Sequence, residues 1–162
     1  MPDSPPVPLA DKIEIHELLA RYAWSFDTGD LEGFLSCFAD DAVFCEDVFD
    51  EIDRWVGRDA IRSMAEHFFS HPAFPGRQHH ASQILIEGGA AECRVRAFCI
   101  VVQPLPDQPC AVVFAGHYDD VVAKIDGRWV FKQRLVRHWS GPVLGGFPTQ
   151  DGVKLPRRRP PG

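Results

Sequence analysis

The chain has 162 residues, of which 45% are hydrophobic and 25% charged, with a formal net charge of −6. That length suits one domain with one core, and the acidic balance excludes a phosphate backbone as main partner, since the one basic run, Arg157-Arg158-Arg159, lies among prolines. No apolar run reaches the ~20 residues of a membrane span, residues 1–9 lack the basic start and apolar stretch of a secretory signal, and the five cysteines form no C-x-x-C pair, so a cytoplasmic domain without disulfides or a thiolate zinc site is expected.

Residues 1–9 read as a flexible proline-rich tail. From Ala10 the apolar positions Ile13, Ile15, Leu18, Leu19, Tyr22, Ala23 and Phe26 recur with helical spacing. Thr28-Gly29-Asp30 interrupts them, Gly29 suiting a C-cap and Asp30 an N-cap for a short second helix holding Leu31, Phe34, Leu35 and Phe38. Ala42 to Cys45 is a strand candidate, and the acid-rich stretch Glu46 to Asp53 reads as a loop. Gly57-Arg58-Asp59 begins a third helix, which Pro72 ends. Four β-rich runs follow, His79 to Glu87, Glu92 to Gln103, Cys110 to Lys124 and Arg128 to Trp139, separated by Gly88-Gly89, Pro104 to Pro109 and Asp126-Gly127. Short connections favour antiparallel neighbours, so an α+β cone is expected, with helices covering one face of a curved sheet. Residues 10–140 then form the domain, and the Gly/Pro-rich stretch 141–162 a C-terminal tail.

The chemistry-bearing candidates lie at the ends of elements. Asp27 closes the first helix, the wrong end of the helix dipole for a carboxylate. A histidine pair, His79 and His80, opens the first long strand, and alternation sends them to opposite faces without choosing between them. A carboxylate against an imidazole fixes its tautomer and stabilises its charged form, which is the minimal equipment for removing a proton from carbon. His67 and His71 have helical i, i+4 spacing, but no His-Glu-x-x-His pattern supports a metal, and none is expected. Neither a G-x-S-x-G elbow nor a P-loop is present.

The order of elements resembles the nuclear transport factor 2-like fold, and four segments resemble its SnoaL-like group. These are Glu14 to Ala23 with Asp27 to Asp30; Phe38 to Phe44 with Gly57 to Ile61; His79 to Ile86; and Gly116 to Asp120 with Gly127 to Phe131, ending on Arg134. The resemblance implies a cone-shaped α+β barrel, a curved mixed or antiparallel sheet wrapped on three N-terminal helices. In scytalone dehydratase and hexachlorocyclohexane dehydrochlorinase the base is a histidine at the head of the strand after the third helix, paired with an aspartate late in the first. His79 and Asp27 match those positions. Tyr22, five residues before Asp27, matches a tyrosine of bile acid 7α-dehydratase, and Arg134 an arginine of the dehydrochlorinase. The second histidine and the Ser/Asn pair of scytalone dehydratase have no counterpart here: Ile100 to Gln103 occupy one neighbourhood, Gly116 and Tyr118 the other.

The resemblance therefore implies a cofactor-independent lyase of the dehydratase or elimination type, acting on a small hydrophobic cyclic or polycyclic substrate. Its catalytic set would be Asp27, His79, Tyr22 and Arg134, with Phe26, Phe44, Phe68, Phe114, Tyr118 and Trp139 as pocket walls. On one helix, Tyr22 and Asp27 lie about 140° apart, so they approach a common point only if their side chains converge. The alternatives are an isomerase or polyketide-cyclase-type enzyme using the same base, and a non-catalytic binding or scaffold module like dioxygenase small subunits. The family's habit of associating through the outer sheet face implies a homodimer or homotrimer.

Overall fold

A computed structural model describes residues 6–48, 52–72, 74–105 and 108–138. Trp139 and the tail 141–162 fall outside them. Helix α1 (Leu9–Thr28) turns Ile15, Leu18, Leu19, Tyr22 and Phe26 into the core and ends at Gly29, whose φ of 74° only glycine adopts without cost. Asp30 caps α2 (Leu31–Leu35), its carboxylate accepting the Gly33 N–H at 3.0 Å. Helix α3 (Arg58–Ser70) buries Ile61, Met64 and Ala65.

The strands are β1 (Phe38–Asp47), β2 (Asp53–Val56), β3 (Gln78–Gly88), β4 (Glu92–Leu105), β5 (Gln108–Ile125) and β6 (Arg128–His138), in the sheet order β2-β1-β6-β5-β4-β3. All pairs are antiparallel except β1 with β6. The three helices pack on this curved, unclosed mixed sheet, as an α+β cone requires. The Asp126-Gly127 turn joins β5 to β6 with φ of 50° and 76°, the two positive values a two-residue hairpin of matching twist needs.

Three expectations require correction. Phe38 lies beyond α2 and opens β1. The stretch Glu46 to Asp53 is not all loop: β1 runs on through Glu46 and Asp47, and β2 begins at Asp53. Strand β2 is short and at the sheet edge, held by Trp55 packing on Phe44 at 5.8 Å, a contact no local pattern announces. Within the stretch read as a tail, Pro6 bridges to Gly89 and Val7 is buried, because its apolar side chain finds a place beside the core.

Helix α1 is anchored at its start by Asp11, whose carboxylate meets the Lys124 ammonium at 2.6 Å. That ion pair, with the Trp129 indole, holds the Asp11 carboxyl below its ordinary 3.8. Its stabilising contribution is complete above 3.8 and is lost as the pH falls through the depressed value. Asp11→Asn is accordingly expected to flatten the loss of stability on acidification below about pH 4, measured as urea midpoints across pH 2 to 6.

Candidate active site

Strand register sorts the inner face of the sheet into rows. A deep one contains Phe44, Arg134, Asp120, Val95 and Ile86; the next toward the rim Glu46, Val136, Tyr118 and Ala97; then His138, Gly116, Cys99 and Ala81; and at the rim Phe114, Val101 and His79. Two irregularities make this possible. Gln83 adopts φ 48° at a bulge, after which Ile84 and Ile86 face inward and Leu85 is exposed. Simple alternation instead places Gln83 and Leu85 with His79. A second shift near Lys132 brings Phe131 and Arg134 to one face, where uninterrupted alternation pairs Arg134 with Lys132.

At the rim the acid and the imidazole meet. Asp27 Oδ1 lies 2.5 Å from His79 Nδ1, and Asp27 Oδ2 accepts the His79 backbone N–H at 2.7 Å. The second bond exists because β3 is an edge strand, whose outward N–H groups have no strand partner. Donation to Asp27 offsets the unfavourable placement of a carboxylate at a helix C-terminus. A carboxylate only accepts, so Nδ1 carries the proton and Nε2 is the basic nitrogen. The side chains are 11% and 15% exposed, sheltered but reachable. His80 points to the exposed face.

Phe26 packs against both this pair and Tyr22: its ring centroid is 5.3 Å from that of His79 and 5.9 Å from that of Tyr22. Burial pushes the Tyr22 hydroxyl far above its ordinary range, with Arg134 opposing. Arg134 is 0% exposed, its guanidinium carbon 3.7 Å from the ring centroids of both Tyr22 and Tyr118, and Nη2 is 3.5 Å from the equally buried Asp120. Neither the guanidinium nor the Asp120 carboxylate has a hydrogen-bond partner among the described residues. Tyr118 accepts from the Cys99 thiol at 2.8 Å and forms the layer between Arg134 and the rim.

Of the other expected wall residues, Phe26 and Phe68 pack edge to face at 5.7 Å near the histidine, and Phe114 stands in its row across the sheet. Phe44 lies deep, against Phe38 and Trp55, and belongs to the lower core. Gly116 gives the Phe114 ring room: a Cβ there would meet that ring and the Arg137 carbonyl.

Three polar residues, Arg77, Gln103 and Glu46, are absent from the expected set. Arg77 donates to Gln103 Oε1 through Nε at 3.2 Å and Nη2 at 3.0 Å, and its guanidinium lies 5.3 Å from the Phe74 ring centroid. Burial lowers the Arg77 pKa, while Asp27 and Glu46 oppose the shift. Glu46 occupies the inner face of β1. Arg77 and Gln103 carry no motif, but Ala42, Phe44, Glu46 and Val48 alternate inward, so a longer strand would have revealed Glu46. Among the described residues no group of three His, Cys, Asp or Glu side chains is placed to hold a metal ion, and no helix is long and apolar enough to cross a membrane.

Solved structures share this architecture. A cystatin-like-fold protein of unknown function from Nostoc punctiforme is 26% identical over 82% of this chain and 93% of its own, with a TM-score of 0.71. A proposed scytalone dehydratase from Novosphingobium aromaticivorans is 26% identical over 80% of this chain and 85% of its own, with a TM-score of 0.68. A protein of unknown function from Mycobacterium tuberculosis is 25% identical over 81% and 73%, with a TM-score of 0.72. Proteins of curated function provide no significant match. Residues 7–135 match the SnoaL-like domain, from the buried Val7 to the strand that holds Arg134, and the chain belongs to that family.

Proposed function

We propose that this protein is a cofactor-independent lyase that eliminates water or a similar leaving group from a small hydrophobic cyclic substrate. The observation that supports it is the two-point contact of Asp27 with His79, which orients the ring and sets its tautomer. His79 Nε2 then removes a proton from carbon next to a carbonyl. The aromatic side chains around it, Phe26, Phe68 and Phe114, suit an apolar ring and keep bulk water from the reacting atoms. Tyr22 would face the substrate carbonyl as a hydrogen-bond donor, its proton held firmly by burial. Arg134 acts from beneath the two tyrosine rings as a fixed positive charge under the site. The outer sheet face exposes Phe98 (44%) and Ile100 (43%), and a second copy of the chain would cover them.

The test uses a bicyclic β-hydroxy ketone, 3-hydroxy-1-tetralone, in D2O. Loss of the C2 hydrogens by exchange and formation of 1-naphthol are expected with the wild-type protein, followed by NMR and fluorescence. Absence of both rejects the base assignment.

A further inference from the structure

Helix α1 is apolar on both sides. Its inner side buries Ile15, Leu18, Leu19, Tyr22 and Phe26, while on its outer side Leu9, Ile13 and Trp24 are 75%, 54% and 76% exposed. A helix of that kind belongs where both sides are covered. We propose that α1 of a second copy of the chain covers the outer side, the two helices running antiparallel about a two-fold axis between His16 and Glu17.

Spacing carries the first part of the argument. At 3.6 residues per turn, Leu9, Ile13, His16, Ala20 and Trp24 fall within about 80° of arc, opposite the core-facing residues. The stripe reads the same from either end: Leu9 and Trp24 stand equally far from the midpoint between His16 and Glu17, and so do Ile13 and Ala20. A two-fold contact requires this, because each residue meets its counterpart in both directions. Each Trp24 then meets Leu9 of the other copy, and each Ile13 the smaller Ala20.

Shape carries the second part. Leu9, Lys12, Ile13, His16, Glu17 and Ala20 line a shallow groove of about 570 Å3 along the first part of the stripe. Trp24 lies beyond the groove, with its indole exposed. Hole and knob are thus on one helix, and reversing the second helix brings each knob to the other's hole. Buried tryptophan is among the strongest anchors of protein interfaces.

Charge supplies the third part. The net charge of −6 opposes self-association in general, but this helix balances Lys12 and Arg21 against Glu14 and Glu17. In the antiparallel pair, Glu14 of one copy and Arg21 of the other share a flank and differ by about 3 Å in height along the axis, within reach of each other. His16 and Glu17 of both copies gather at the two-fold axis, where imidazole N–H groups can donate to the carboxylates. This surface is separate from Phe98 and Ile100, which lie on the other side of the sheet. One helix face buries less than the roughly 1,200 Å2 of a standard interface, so a dissociation constant on the order of micromolar is expected.

Sedimentation velocity of the full-length protein at ~100 μM, above that constant, is the first test. Trp24→Glu, with circular dichroism unchanged, is expected to halve the mass of the wild-type assembly, whether or not the sheet face also pairs. An unchanged mass overturns the proposal, and is the result expected if residues 1–5 or an unrelated protein cover the stripe instead. Orientation has its own test, in a Cys110→Ser background that removes the exposed thiol. There His16→Cys is expected to give a covalent dimer on mild oxidation, while Lys12→Cys, whose two copies lie about 13 Å apart along the axis, gives none. Equal cross-linking at the two positions indicates parallel helices and overturns the arrangement, as does its absence at both.

Discussion

Asp27→Asn is expected to lower elimination by on the order of 10² to 10⁴ while the fold persists. The amide can keep an acceptor for the His79 backbone N–H, so β3 stays in place. What it loses is the negative charge beside Nδ1: the imidazolium formed on proton removal is no longer stabilised, and the amide can equally present its NH2 to the ring and enforce the wrong tautomer. His79→Ala should cost a similar factor, and the double variant little more than either single one, because the two side chains act as one unit. Turnover within threefold of wild type in either single variant, with near-ultraviolet circular dichroism unchanged, rejects the assignment. Additive losses in the double variant reject the coupling.

Removing Arg134 is expected to produce the largest stability loss. Arg134→Met leaves Asp120 facing an apolar interior with no compensating charge, an arrangement that costs on the order of 3 to 5 kcal/mol. Burial already raises the Asp120 carboxyl, and the guanidinium opposes that rise. Without Arg134 the acid escapes by taking up a proton. A group whose folded pKa is raised binds protons more readily in the folded state, so the native form gains as pH falls and loses as pH rises through that range. The deficit of Arg134→Met should therefore be smaller at pH 5 than at pH 8, measured from urea unfolding. Arg134→Met combined with Asp120→Leu should recover most of the loss, since neither charge then remains buried. A deficit independent of pH, or no recovery in the double variant, contradicts this account.

Arg134 also shows how local periodicity and tertiary packing divide the information. Its charge suggests a residue reaching into a pocket, whereas the structure packs it against the rings of Tyr22 and Tyr118 with no exposed surface. Two aromatic rings from α1 and β5 enclose a cation only after those elements meet. Nothing in either element's own pattern records the event.

What could be read from the residues in order was the set of elements with strong local causes. Helix α1 follows from its apolar spacing and from Gly29, α2 from the Asp30 cap, and the last hairpin from Asp126-Gly127, each signal acting within a few residues. The positions of Asp27 and His79 at element ends were equally visible. Tertiary structure alone decided the register. The bulge at Gln83 and the shift near Lys132 reverse which side chains face inward beyond them, and a period of two cannot reveal its own interruption. The parallel pairing of β1 with β6 and the edge contact that makes β2 a strand join residues far apart in sequence. Glu46 shows the same limit: it reads as a loop acid until β1 is long enough to alternate. Short-range free energies favour each element separately, but the meeting of an acid, a base and a buried cation is an outcome of packing.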